Sequence, residues 1–216
     1  MYEGYDQEPC RERLRRGMQT LGLAMDEKQE LLLLQFLALL VKWNRAYNLT
    51  AVREPLEMVG RHLLDSLAVL PHLRGGRCLD IGTGPGLPGI PLAIMRQEMT
   101  YVLLDSNGKK TRFVRQAVLE LGLGNVTVRH QRVEAYQPDE GFDTLIARAF
   151  SALPRIVEMT RHLHRPGSLL LAMKAGKVAP ELAQLGPGIV SRVIPLEVPY
   201  TQGERCLIEV GSADSC

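Results

Sequence analysis

The residues best suited to chemistry lie in one stretch, Asp80-Ile81-Gly82-Thr83-Gly84-Pro85-Gly86-Leu87-Pro88-Gly89, with a second acid at Asp105. An apolar run precedes the stretch, and Pro88 and Pro91 suit the first turn of a following helix. Glycines at such a junction let the backbone turn tightly and approach a bound molecule closely. The plainer reading is a tight strand–helix connection. The spacing carries more than that, and in two ways. Gly84-Pro85-Gly86-Leu87-Pro88-Gly89 satisfies the GxGxxG spacing that admits a pyrophosphate. Asp80-x-Gly82-x-Gly84-x-Gly86 sets a carboxylate ahead of alternating glycines. A pyrophosphate is repelled by that carboxylate, whereas a ligand with an ammonium and a positive sulfur is attracted to it. Asp105, ending the next apolar run, stands where a carboxylate can accept two ribose hydroxyls. It supports an adenosine-containing ligand under either spacing.

Asp80 therefore favours the acid-x-Gly-x-Gly-x-Gly pattern of class I S-adenosylmethionine-dependent methyltransferases over a dinucleotide site. The sequence beyond Asp105 agrees, with no room for a separate substrate domain and no hydride-transfer constellation.

The elements that must position these groups fall into two parts. Residues 1–74 read as a helical segment: Asp26 and Gln29 have capping-box spacing, Leu33, Phe36, Leu37 and Leu40 keep a helical period, and Asn48-Leu49-Thr50 breaks it. Pro55 opens another helical pattern through Leu56, Val59, Leu63, Leu64 and Leu67. From residue 75 to 216, short apolar runs at 78–81, 101–104, 126–128, 144–147 and 169–173 alternate with amphipathic stretches, notably 109–121 and 153–163. That alternation predicts a parallel sheet covered on both faces. The last runs, 190–196 and 206–210, are linked too briefly for a parallel crossover and predict a hairpin. The expected fold is α/β, a Rossmann-like seven-stranded sheet with one antiparallel strand, preceded by an N-terminal helical extension.

Composition limits the alternatives. The chain has 216 residues, 45% apolar and 23% charged, enough to bury a core without staples. Cys10, Cys78, Cys206 and Cys216 show neither metal-ligand nor disulfide spacing, which suits a reducing compartment. No metal site is expected. The acidic start is unlike a signal peptide, and the apolar run at 31–41 is too short to cross a bilayer. A cytoplasmic protein without membrane contact is expected. The net charge of +2 decides nothing about nucleic acid, but two clusters are basic: Arg11, Arg13, Arg15 and Arg16 before the first helix, and Lys109, Lys110, Arg112 and Arg115 after Asp105. Each is a solvated helix face or a phosphate-binding patch.

One family has the same motifs in the same order. Trp43-Asn44, Tyr47-Asn48-Leu49-Thr50, His62-Leu63-Leu64-Asp65-Ser66-Leu67, the glycine stretch on to Leu92, Leu104-Asp105-Ser106, Lys109-Lys110, Asn125-Val126, Arg132-Val133-Glu134 and Arg148-Ala149-Phe150 resemble the 16S ribosomal RNA small subunit methyltransferase G family, also called glucose-inhibited division protein B. The likeness spans about residues 43–210. Lys174-Ala175-Gly176 departs from it, since the family more often has Lys followed directly by Gly. The resemblance implies methyl transfer from S-adenosylmethionine to N7 of guanosine 527 in 16S rRNA, in the small subunit or its precursor. It carries the cofactor positions onto Gly82, Leu87, Val133, Glu134 and Arg148; Asp80, Gly84 and Asp105 join them from the glycine pattern and the chemistry above. A monomer is expected.

No catalytic acid, base or nucleophile is expected, because guanine N7 carries no proton and offers an in-plane lone pair. The sequence also lacks the Asn/Asp-Pro-Pro-aromatic motif of exocyclic-amine enzymes after the fourth strand, and Pro9-Cys10 lies far from the cofactor loop. Arg148 suits a carboxylate partner as well as a ligand, and Phe150 suits the core as well as a flipped base. The competing readings are a methyltransferase of this fold acting on another RNA or a small molecule, and a non-catalytic RNA-binding module.

Overall fold

The apolar runs become strands: those at 78–81, 101–104, 144–147 and 169–173 are buried on both faces, whereas those at 126–128 and 190–195 form the partly exposed sheet edges. The computed structural model describes residues 6–212, so Cys216 lies outside the described residues. The strands are β1 (Arg77–Ile81), β2 (Thr100–Asp105), β3 (Val126–His130), β4 (Phe142–Arg148), β5 (His164–Ala175), β6 (Ile189–Pro195) and β7 (Arg205–Ser212). They form one sheet in the order β3-β2-β1-β4-β5-β7-β6. β1 to β5 pair in parallel, and β7 runs antiparallel to both β5 and β6. The expected hairpin is therefore present, with its second strand inserted between β5 and the first.

Side-chain alternation sends neighbours on each strand to opposite layers. Cys78, Tyr101, Leu103, Ile146 and Leu171 point into one core, while Leu79, Val102, Leu104, Leu145 and Leu170 point into the other. The first core is covered by α1 (Glu8–Thr20), α2 (Glu27–Tyr47), α5 (Gly89–Met95) and α6 (Gly108–Glu120), with a broken helix between α2 and β1. That helix runs from α3 (Pro55–Met58) through a π-helical turn, Val59–Leu64, into α4 (Asp65–Leu67). Leu14, Phe36 and Leu37 from the N-terminal helices share this core with Ile90 of α5 and Phe113 of α6. The second core is closed by α7 (Leu153–Thr160), with Leu182 of α8 (Ala179–Leu182) packed against it.

The caps follow the sequence. Asp26 accepts from the Gln29 amide at 2.7 Å and Gln29 accepts from the Asp26 amide at 2.9 Å, a reciprocal box that starts α2. Asn48 ends it in the left-handed region, φ 50°. Among the described residues no helix is long and apolar enough to cross a membrane. The described cysteines, Cys10, Cys78 and Cys206, are buried free thiols.

Gly89, opening α5, has no space for a larger residue. A Cβ there falls 2.1 Å from Leu103 Cδ2 and 2.7 Å from Asp80 Oδ2, both fully buried. Gly89→Ala is expected to cost about 1–3 kcal/mol as overpacking. Urea unfolding measures it, and an unchanged midpoint contradicts the packing described.

Candidate functional site

The C-terminal ends of β1, β2 and β4 hold the site, the usual ligand edge of an open α/β sheet. The loop after β1 is bound from below and from the side. Beneath it, Asp80 is fully buried; its Oδ2 accepts from the Thr83 hydroxyl at 2.6 Å and the Gly89 amide at 2.8 Å. Its Oδ1 is buried without a hydrogen-bond partner. Burial pushes the carboxyl pKa up to about 6, against the lowering pull of those hydrogen bonds and of Arg148. Beside the loop, Asp105 Oδ2 accepts from the Gly84 amide at 2.8 Å and Oδ1 from the Asn107 amide at 2.7 Å. Asn107 in turn caps α6, accepting from the Lys109 and Lys110 amides.

Of these groups, Asp105 and Asn107 border a cavity of about 490 Å³ that Gly82, Lys110, Val133, Glu134 and Phe150 also line. Gly82 has φ +65°, and a Cβ there would stand 2.2 Å from the Phe150 ring, so only glycine fits. Of the sequence-predicted cofactor residues, Gly82, Asp105, Val133 and Glu134 line this cavity. Asp80, Gly84 and Leu87 lie in the loop's buried side, Leu87 at 2% exposure.

Arg148 faces elsewhere. Strand alternation puts it on the same side as Ile146, toward the broken helix. There its Nη1 donates to Asp65 Oδ2 at 2.9 Å and to the Arg61 carbonyl at 3.2 Å. The carboxylate partner weighed from sequence is thus present and is Asp65. His62, from the π-helical turn that precedes Asp65, lies between Thr50 and the Arg61 carbonyl, each at 2.9 Å. The carbonyl can only accept, so Nδ1 carries the proton and Nε2 accepts from the Thr50 hydroxyl, which itself accepts from the Val52 amide. Burial, and next Arg148, lower the His62 pKa to about 4. His62 is a neutral strut at physiological pH. Asn48 and Thr50 accordingly serve as helix cap and strut holder.

Sequence reasoning missed Asn107 and Arg155 as cavity residues, and had Lys110 in the basic cluster after Asp105. Asn107 had a signal, since an Asn immediately before a helical pattern is a cap. The basic cluster assigned to the chain before the first helix lies instead within α1, and its members are engaged internally. Arg15 donates to Glu30 at 2.6 and 3.0 Å, Arg11 lies 3.4 Å from Glu30, Arg16 pairs with Glu12, and Arg13 donates to the Leu56 carbonyl at 3.1 Å. Among the described residues no group of three or more His, Cys, Asp or Glu is placed to hold a metal ion.

Comparison with known proteins adds ancestry to this geometry. Residues 29–208 match the family model described as rRNA small subunit methyltransferase G. The chain is 52% identical over 199 residues to the Ribosomal RNA small subunit methyltransferase G of Chromobacterium violaceum, covering 91% of this chain and 95% of that protein. It is 52% identical over 200 residues to that of Stutzerimonas stutzeri, covering 91% and 93%. A SAM dependent methyltransferase from Aquifex aeolicus shares the fold, with a TM-score of 0.54 at 20% identity over 68% of this chain and 89% of that one. A family match across most of the chain, and half of the residues identical to such relatives over nine-tenths of its length, leave one conclusion: the chain belongs to the rRNA small subunit methyltransferase G family.

Proposed function

We propose that this protein transfers a methyl group from S-adenosylmethionine to N7 of guanosine 527 in 16S rRNA, within the small subunit or its precursor, as a cytoplasmic monomer. The family match over residues 29–208 carries the reading. The donor set fits the cofactor. The unpartnered Asp80 oxygen, the glycine cradle and the Asp105 carboxylate offer negative charge and close backbone approach to an adenosyl amino acid. In this reading Asp105 and Glu134 hold the ribose, Val133 packs against the adenine, and Gly82 with Gly84 lets the chain approach closely. Leu87 supports the loop from behind, Asp80 supplies charge beneath it, and Arg148 lines the acceptor side.

When bound, the cofactor supplies an electrophilic methyl group. The N7 lone pair would form the new N–C bond as the S–C pair returned to sulfur, and no proton would have to leave the base. The chain's task is positioning, for which effective molarity can supply much of the acceleration. His62, neutral and with both ring nitrogens engaged, is not required as a base. The deciding experiment is the fate of labelled product: a 7-methylguanosine makes RNA cleavable by reduction followed by aniline, and label that survives this treatment intact refutes N7 as the target.

Asp80 gives the cofactor site a pH dependence. Its folded pKa near 6 lies above the unfolded value of about 3.9. The free protein therefore loses stability from this group as pH rises from about 4 to about 6, where only the unfolded chain has released the proton. A cationic ligand favours the ionised carboxylate. Affinity for S-adenosylmethionine is expected to rise as pH climbs through about 6 and then level off, with proton release on binding. Calorimetry in buffers of different ionisation enthalpy reads both effects, and Asp80→Asn should flatten the profile. A parent profile already flat across this range contradicts the role.

A further inference from the structure

A second cavity meets the first at Ala149. It measures about 360 Å³, at the small end of ligand sites, and lies between the tips of β4 and β5 and the broken helix. Its polar wall includes Asp65, Arg148, Lys174 and Arg205 beside Arg61 and His62, and its apolar wall includes Met173 and Leu196. Ala149 lines both cavities and has φ +50°, a conformation that residues bearing a Cβ rarely adopt. Backbone held in this region is often retained where function requires it. The left-handed turn keeps only a small side chain between the two spaces.

Asp65 is the distinctive group. It is 7% exposed and stands between two guanidinium groups. Oδ2 is bound to Arg148, while Oδ1 has only the Arg205 Nε at 3.6 Å, beyond hydrogen-bonding length. Oδ1 thus retains lone pairs for a ligand's N–H groups. Arg148 spends Nη1 on Asp65 and the Arg61 carbonyl, and a guanidinium carries five donors. Guanine matches this pairing: its N1–H and N2–H groups are adjacent donors for a carboxylate, and its O6 accepts from a cation. Adenine presents an acceptor at N1 and a donor at N6, the opposite arrangement.

We propose that this second cavity receives the acceptor guanine, extruded from the RNA, with Asp65 Oδ1 reading its Watson–Crick edge and Arg148 facing O6. N7 is then directed to Ala149 and the cofactor cavity beyond it. Asp65 also opposes the positive charge that develops on the base as the N7–C bond forms. The assignment rests on the proposed N7 chemistry and adds the residues that select the base.

The test uses the full chain, saturating S-adenosylmethionine and unmethylated small ribosomal subunits carrying either guanosine or adenosine at the target. The parent should methylate guanosine and discriminate strongly against adenosine. Asp65→Asn should lower kcat/KM for guanosine by roughly 10- to 100-fold, the loss of a charged hydrogen bond, and should collapse the base preference. A purely structural role would slow both substrates alike. Ala175→Trp provides the second arm, because Ala175 lines this cavity and is exposed, so the bulk closes it without disturbing the core. It should abolish transfer while S-adenosylhomocysteine affinity stays within about twofold, and it decides the matter if Asp65→Asn does not fold. Retained rate and base preference in Asp65→Asn, or parental turnover in Ala175→Trp, overturns the assignment. If the parent methylates an atom other than guanine N7, the proposed function fails, and Ala175→Trp still reports whether this cavity holds the acceptor.

Discussion

Asp105→Ala is expected to weaken S-adenosylmethionine binding by about a hundredfold or more. Two hydroxyl donors to one carboxylate lose roughly 1.5–3 kcal/mol each when it is removed, and 1.4 kcal/mol is a factor of ten. The structure adds a second effect that the strand-end position alone did not reveal. Asp105 also accepts from the Gly84 and Asn107 amides, so it shapes the glycine loop as well as facing the ligand. The Gly84 amide is buried, and leaving it unpaired costs about 1–3 kcal/mol of stability. The variant should therefore unfold at lower denaturant as well as bind weakly. A cofactor analogue lacking the 2′-hydroxyl separates the two effects in a double cycle. The parent should lose affinity for that analogue, whereas Asp105→Ala should bind the analogue and the natural cofactor alike. Equal discrimination by both proteins means that Asp105 acts on the loop alone.

The same residues show what a sequence can and cannot display. The order and type of the elements were legible, because a sheet buried on both faces demands near-continuous apolar runs and Asp26 with Gln29 marks a helix start. The glycine loop was legible as a loop that approaches a ligand. Its layering was not. Spacing shows that Asp80 precedes the glycines, but not that its carboxylate turns beneath them toward Gly89 and the Thr83 hydroxyl. Arg148 was visible as a charged strand end. Its partner Asp65 opens α4, directly after a π-helical turn, and no local pattern announces a turn that inserts an extra residue and re-aims the side chains that follow it. Long-range pairing of this kind is a property of the packed helix and sheet.

Charge reversal at Lys109 and Arg112 together is expected to weaken binding to the small subunit and lower the slope of log affinity against log salt by up to about two units, just under one per lost phosphate contact. Both side chains are exposed on α6, three residues apart on one face of the helix whose Lys110 lines the cavity with Asp105. Among the described residues, neither they nor Arg115 have a carboxylate within ion-pair distance, so their charge is free for phosphate. The arginines of α1, which the sequence offered equally, behave differently. Arg11 and Arg15 both face Glu30, a carboxylate 7% exposed, and Arg13 stacks 4.8 Å over the Tyr200 ring from the β6–β7 connection. Glutamates at Arg11, Arg13 and Arg15 would surround a buried like charge and release that connection. The triple variant should therefore lower the unfolding midpoint and, where still folded, keep the parent's salt slope. Salt titrations of subunit binding beside thermal melts distinguish the two helices. A flattened slope with an unchanged melt in the α1 variant would assign the RNA contact to α1 instead.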